Sequence, residues 1–105
     1  MKEKQIMVVI KEPGKEPVVE PLFENTLEEF QKAVGGFIET YTFVEDVTIV
    51  CNEEGLIRNL PHNVTALGQH FFGTIVVVGI KGDEFTSLKA RYVPTILKIL
   101  GGDKV

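Results

Sequence analysis

Val34-Gly35-Gly36-Phe37-Ile38-Glu39-Thr40-Tyr41-Thr42-Phe43 runs into Val44-Glu45-Asp46 and out again through Val47-Thr48-Ile49-Val50-Cys51-Asn52-Glu53-Glu54-Gly55. This stretch sets the fold. Gly35 is placed to end a helix in the left-handed region. Residues 37–43 alternate. Ile38, Thr40 and Thr42 share one face, and Phe37, Glu39, Tyr41 and Phe43 share the other. Both sets hold apolar or aromatic groups, so periodicity leaves open which face is buried. Residues 44–46 form a turn. Val47, Ile49 and Cys51 then share a face of a returning strand, and Gly55 suits a left-handed position in the turn after it. The stretch is a helix stop followed by a hairpin, and the apolar runs on either side pack around it.

Working toward the N-terminus, residues 5–10 are a short apolar run, expected as a strand buried on both faces. Pro13-Gly14 marks a turn. Residues 18–23 form a second strand, which Pro21 confines to a sheet edge because proline lacks the ladder donor. Thr26-Leu27-Glu28-Glu29 is a capping box. Leu27, Phe30 and Val34 then fall on one face of a helix of about two turns, which packing must hold.

Toward the C-terminus, residues 56–58 extend as a short strand. Residues 59–69 are the least regular segment, with Asn63 capping a single turn through Leu67 and Gly68 ending it. Residues 71–80 are the strongest strand, because Thr74-Ile75-Val76-Val77-Val78 is almost wholly β-branched. Residues 87–100 read as helical, capped by Thr86 or Ser87. Pro94 there predicts a kink, or two short helices with the proline in the first turn of the second. The expectation is an α+β domain: a twisted, mostly antiparallel sheet of four or five strands with two helices packed on one face. Its core is Ile6, Val8, Ile10, Leu27, Phe30, Val34, Ile38, Ile49, Cys51, Ile75, Val77, Leu88, Ile96 and Leu100.

Length and charge bound the rest. A chain of 105 residues is expected to form one domain, 1–105. Its single cysteine excludes an intramolecular disulfide and a cysteine-rich zinc site. No apolar run approaches the roughly 20 residues of a membrane helix, and the run at 6–10 is too short for a signal peptide. A cytoplasmic location without membrane contact is expected. The net charge is −4, with 5 basic and 12 acidic groups in residues 1–55 against 6 basic and 3 acidic in 56–105. That balance argues against nucleic-acid binding through a general basic surface.

The chain resembles a family of short, uncharacterised proteins and domains from bacteria, their phages and their mobile elements, a domain of unknown function. The residues that carry the resemblance are Val34-Gly35-Gly36-Phe37-Ile38-Glu39, Cys51-Asn52-Glu53-Glu54-Gly55, Leu60-Pro61-x-Asn63, Gly73-Thr74-x-x-Val77-Val78-Gly79 and Phe85-Thr86-Ser87-Leu88. Val8-Val9-Ile10-Lys11-Glu12-Pro13-Gly14-Lys15 fits as well. The tail departs from the pattern, with Lys89, Arg91 and Pro94 where related chains end in a more acidic, proline-free helix. The resemblance implies no activity and no catalytic residues.

Few chemistries remain. His62 and His70 lie eight positions apart and match no common zinc spacing. Cys51, in register with Val47 and Ile49, reads as a small buried hydrophobe and not as a nucleophile. No phosphate-binding loop, dinucleotide fingerprint or serine elbow is present, so no cofactor, metal or catalytic residue is assigned. Glu39 lies in a strand between Phe37 and Tyr41 and needs a partner if that face is buried; Arg58 and Lys81 are candidates for an ion pair. The irregular loop 59–72 gathers hydrogen-bonding and aromatic groups. With Glu39, its residues His62, Asn63, His70 and Phe72 are the candidate partner or ligand surface. The leading expectation is a small non-enzymatic accessory protein that binds a protein partner, as a monomer or a weak dimer. The alternative is a small-ligand or enzymatic site near the 59–72 loop, which requires Glu39 and a histidine to converge in a pocket. A third reading, nucleic-acid binding, would use Lys89, Arg91, Lys98 and Lys104.

Overall fold

The computed structural model describes residues 3–44 and 46–101. Glu45 of the central turn, the Phe43 side chain, Gly102 and Lys104 lie outside the described residues. The order is β1 (Gln5–Lys11), β2 (Val18–Glu24), α1 (Leu27–Val34), β3 (Ile38–Val44), β4 (Val47–Asn52), β5 (His62–Ala66), β6 (Gln69–Phe72), β7 (Ile75–Lys81), β8 (Glu84–Thr86), a 3₁₀ turn (Ala90–Tyr92) and α2 (Val93–Ile99). Six strands form one antiparallel sheet in the order β2-β1-β7-β4-β3, with β8 also paired to β7. β7, the β-branched strand, is central. β4 occupies one of its edges, and β1 and β8 share the other.

The chain is thus α+β, but the two helices lie on opposite faces and not on one. Phe30 and Val34 of α1 pack with Val8, Val50 and Val76, while Ile96 and Leu100 of the tail pack with Val9, Ile49 and Val77. The strand residues in these two sets are neighbours in sequence and point to opposite sides of the sheet. The reason is legible in the strands themselves. β1, β4 and β7 are apolar at successive positions, so both faces must be covered; α1 lies over one face, and α2 together with the β5–β6 hairpin lies over the other. On the α1 face, Phe30 sits between Phe23 and Phe85, with ring centroids 4.8 Å apart in each pair. Such tilted pairs contribute about 1 kcal/mol each beyond their buried area.

α1 starts and stops as its sequence dictates. The Thr26 hydroxyl accepts from the Glu29 amide at 3.2 Å, and Gly35 closes the helix at φ 83°. Leu27, expected in the core, is 55% exposed, because Phe30 and Val34, with Ala33 beside them, make the contact of so short a helix. At the other end, Pro94 occupies the first turn of α2, where its missing amide hydrogen costs nothing. The tail helix therefore begins at a 3₁₀ turn from Ala90, later than Ser87. The Ser87 hydroxyl instead accepts from the Met7 amide at 3.0 Å and ties the tail to β1.

Three local expectations are corrected. Residues 62–72 are a β-hairpin, β5–β6, and not an irregular loop with a helical turn. The strand expected over 71–80 is broken at Gly73, whose φ of +81° ends β6 before β7 begins. Residues 56–58 are turn and not strand. The β5–β6 hairpin covers the α2 side of the sheet through Val64, Ala66 and Phe71.

Candidate functional site

The hairpin does not lie flat against the sheet along its whole length. Between it and the β3–β4 end of the sheet is an open cleft of about 370 Å³. Glu39 and Tyr41 of β3 and Cys51 of β4 line its sheet side, and Gln69, His70 and Phe72 of β6 line the facing wall. Glu53, Gly55 and Leu56, in the turn after β4, line the remaining side.

Each wall is set locally. On the sheet side, Glu39 pairs with Cys51 and Tyr41 with Ile49, so the Phe37-Glu39-Tyr41 face is the α2-side face. Tyr41 meets Phe71 edge-on at 5.9 Å. The turn is anchored by Asn52, a buried residue. Its amide donates to the Val34 carbonyl at 3.1 Å, and its side-chain oxygen accepts from the Glu54 amide at 2.7 Å. Gly55 is not in the left-handed region; its role is closeness. A Cβ there would sit 2.9 Å from the Phe72 carbonyl oxygen, so only glycine lets the turn approach β6.

The β6 wall is held by Asn63. Its amide nitrogen donates to the Lys11 carbonyl at 2.7 Å and the Gly73 carbonyl at 2.8 Å, clamping the hairpin to the end of β1. A bulge at Asn63 puts His62 on the same outer face as Thr65, His70 and Phe72. There the Thr65 hydroxyl lies 3.2 Å from His62 Nε2 and 2.7 Å from His70 Nδ1. The His62 ring also meets the Phe72 ring edge-on at 5.4 Å.

Of the residues singled out from the sequence, Glu39, His70 and Phe72 line one cleft. His62 stands beside it on the hairpin's outer face, and both amide hydrogens of Asn63 are committed to backbone carbonyls. Glu39 is exposed and makes no ion pair among the described residues, so the expected pair with Arg58 or Lys81 is not formed. Tyr41, Glu53, Leu56 and Gln69 also line the cleft but were not singled out. The alternation of residues 37–43 was the one signal for Tyr41. Nothing in the sequence marks Leu56.

Cys51 is half-buried and is the cross-strand partner of Glu39. Burial first, and the Glu39 carboxylate second, push its thiol up to about 11. The thiol donates to the Glu39 carbonyl at 3.6 Å. It stays protonated at neutral pH and is a poor nucleophile there. Among the described residues, no group of three or more His, Cys, Asp or Glu side chains is arranged to hold a metal ion, and no helix is long and apolar enough to cross a membrane.

The arrangement belongs to a known sequence family. A family model described as a domain of unknown function, DUF3846, matches residues 4–100. The chain belongs to the DUF3846 family. The match takes in the whole cleft, from the β3 edge to the β5–β6 hairpin. No curated protein and no solved structure matches the chain.

Proposed function

We propose that this DUF3846 chain is a small non-enzymatic accessory protein that binds a protein partner through the cleft beside β3. The observation that carries the reading is the apolar rim. Leu56, 70% exposed, lines the cleft, and Ile57 beside it is 83% exposed. Phe37, 69% exposed, is joined to the same turn by the hydrogen bond from the Glu53 amide to its carbonyl at 2.9 Å. Large exposed apolar side chains in and next to the turn that lines a groove are what a partner covers. The cleft has no lysine or arginine among its lining residues, which counts against nucleic acid as the occupant. Of the basic tail residues, Lys89 is paired with Asp46 at 2.8 Å. The reading places the protein in the cytoplasm, in the bacterial, phage or mobile-element setting of the chains it resembles.

A photo-crosslinking residue at position 56, in cells that carry the protein naturally, tests this. Position 22 on β2, exposed to 63% and at the opposite edge of the sheet, is the control. A protein captured from position 56 and not from position 22 is the expected result. No capture from 56, or equal capture from both, contradicts it.

One observation favours a second reading. Glu39 and His70 line the same cleft, which is the convergence a small-ligand site requires. A small molecule that raises the melting temperature and shifts the NMR signals of both residues would support that reading over the first.

A further inference from the structure

The two outer strands of the sheet are finished differently. On β2, Pro21 offers no amide hydrogen, and the Leu22 amide is taken by the Glu20 carboxylate of the same strand at 3.1 Å. These features close an edge against further pairing. β3 forms the opposite edge and carries neither proline nor lysine; its one irregularity is a bulge between Thr42 and Val44.

The hydrogen-bond phase of β3 is fixed twice over. The Glu53 amide donates to the Phe37 carbonyl at 2.9 Å, so that pair points its backbone groups between the strands. On the far side of β4, the Ile80 amide donates to the Asp46 carbonyl at 3.0 Å, which turns Thr48 and Val50 toward β7 and Ile49 and Cys51 toward β3. Antiparallel alternation then directs the backbone groups of Glu39 and Tyr41 at β4. It leaves the amides and carbonyls of Ile38, Thr40 and Thr42 facing outward from the sheet, while the Glu39 and Tyr41 side chains stand in the cleft.

We infer that the open β3 edge and the cleft beside it together accept an extended, basic segment of a partner protein as an added strand. The inference rests on the partner-binding reading above and names the kind of segment. Main-chain hydrogen bonds to Ile38, Thr40 and Thr42 supply the affinity, and alternate side chains of the segment enter the cleft. One of these sits beside Glu39, exposed and without an ion pair among the described residues, in a cleft whose other charged lining residue is Glu53. A lysine or arginine complements that position. Two residues along the segment, the next side chain sits beside Tyr41, where an apolar group packs. A second copy of the chain is a poorer occupant, because each copy carries a net charge of −4 and would bring no cation to Glu39 from its own β3.

The test is selection of random linear peptides displayed on phage against the intact protein. The expected peptides carry a basic and an apolar residue two positions apart. Their binding falls about tenfold or more with Glu39→Lys and is lost with Thr40→Pro, which removes an outward-facing amide and no ladder bond. N-methylation of alternate peptide amides abolishes binding as well, and decides the matter if Thr40→Pro fails to fold. Selected peptides without basic residues, or peptides indifferent to N-methylation, overturn the inference. So does a dimer of the protein that Thr40→Pro dissociates, since a second copy then holds the edge. A partner crosslinked from position 56 that the peptides do not displace sinks this inference alone. Peptide binding with no partner captured from position 56 sinks the partner-binding reading.

Discussion

The Cys51 thiol donates to the backbone carbonyl of its cross-strand partner Glu39 at 3.6 Å, so the sulfur atom lining the cleft is held by the strand that forms its edge. Burial and the neighbouring carboxylate raise the thiol from 9.0 to about 11. Two consequences follow from that direction. At pH 8, alkylation of Cys51 by iodoacetamide should run about a hundredfold slower than for an unfolded control, in proportion to the thiolate fraction. Stability should also fall as pH rises from 9 toward 11, because there the unfolded chain has released a proton that the folded chain still holds. Cys51→Ala removes that alkaline loss. Rapid alkylation at pH 8, or an alkaline loss unchanged by Cys51→Ala, contradicts the account.

Asn63 holds the wall of the cleft and does not reach into it. Its amide clamps the Lys11 and Gly73 carbonyls, and its own side-chain oxygen is buried without a protein partner. Asn63→Ala should cost about 1–3 kcal/mol in urea unfolding. Asn63→Asp should cost more, because a carboxylate would then face two carbonyl oxygens. An Asn63→Ala midpoint equal to wild type would show that the clamp contributes nothing.

Leu67 and Gly68 turn the β5–β6 hairpin with φ of 56° and 76°. A leucine in the left-handed region is strained, and asparagine or glycine is the usual occupant. Leu67→Asn should stabilise the protein by about 1 kcal/mol, read as a higher melting temperature. Leu67 is 45% exposed, so little packing is lost in the exchange. A lower melting temperature would mean that the leucine side chain contributes more than its backbone costs.

That strained leucine also explains what the sequence concealed. Hairpins announce themselves through Asn-Gly or Asp-Gly turns, and Ala66-Leu67-Gly68-Gln69 carries neither. The segment therefore read as irregular, and β6 merged with β7 because Phe71 and Phe72 run on toward the β-branched residues. Gly73 was the break, but a glycine before Thr74 looks the same in a sequence whether its φ is positive or negative. The central hairpin was legible because its two strands alternate and its helix stop is a glycine at C′. The covering of both sheet faces was implicit in β1, β4 and β7, each apolar at consecutive positions. The cleft was half-legible. Glu39, His70 and Phe72 stand out by residue type, whereas the alternation of residues 37–43 left the Tyr41 face open and Leu56 read as the start of a short strand. Gly55 was read as a conformational glycine, yet it is required by the nearness of Phe72, which only the tertiary fold creates.

The role inferred for β3 is to present an open edge that a partner strand fills. Residue-resolved amide hydrogen exchange, measured by NMR on the intact protein, tests it most directly. In the free protein, Ile38, Thr40 and Thr42 should exchange fast while Glu39 and Tyr41 exchange slowly. A saturating selected peptide should slow the first three and leave the other two as they were. A Thr40 amide already protected in the free protein, or one still exchanging fast with the peptide bound, would contradict the claim.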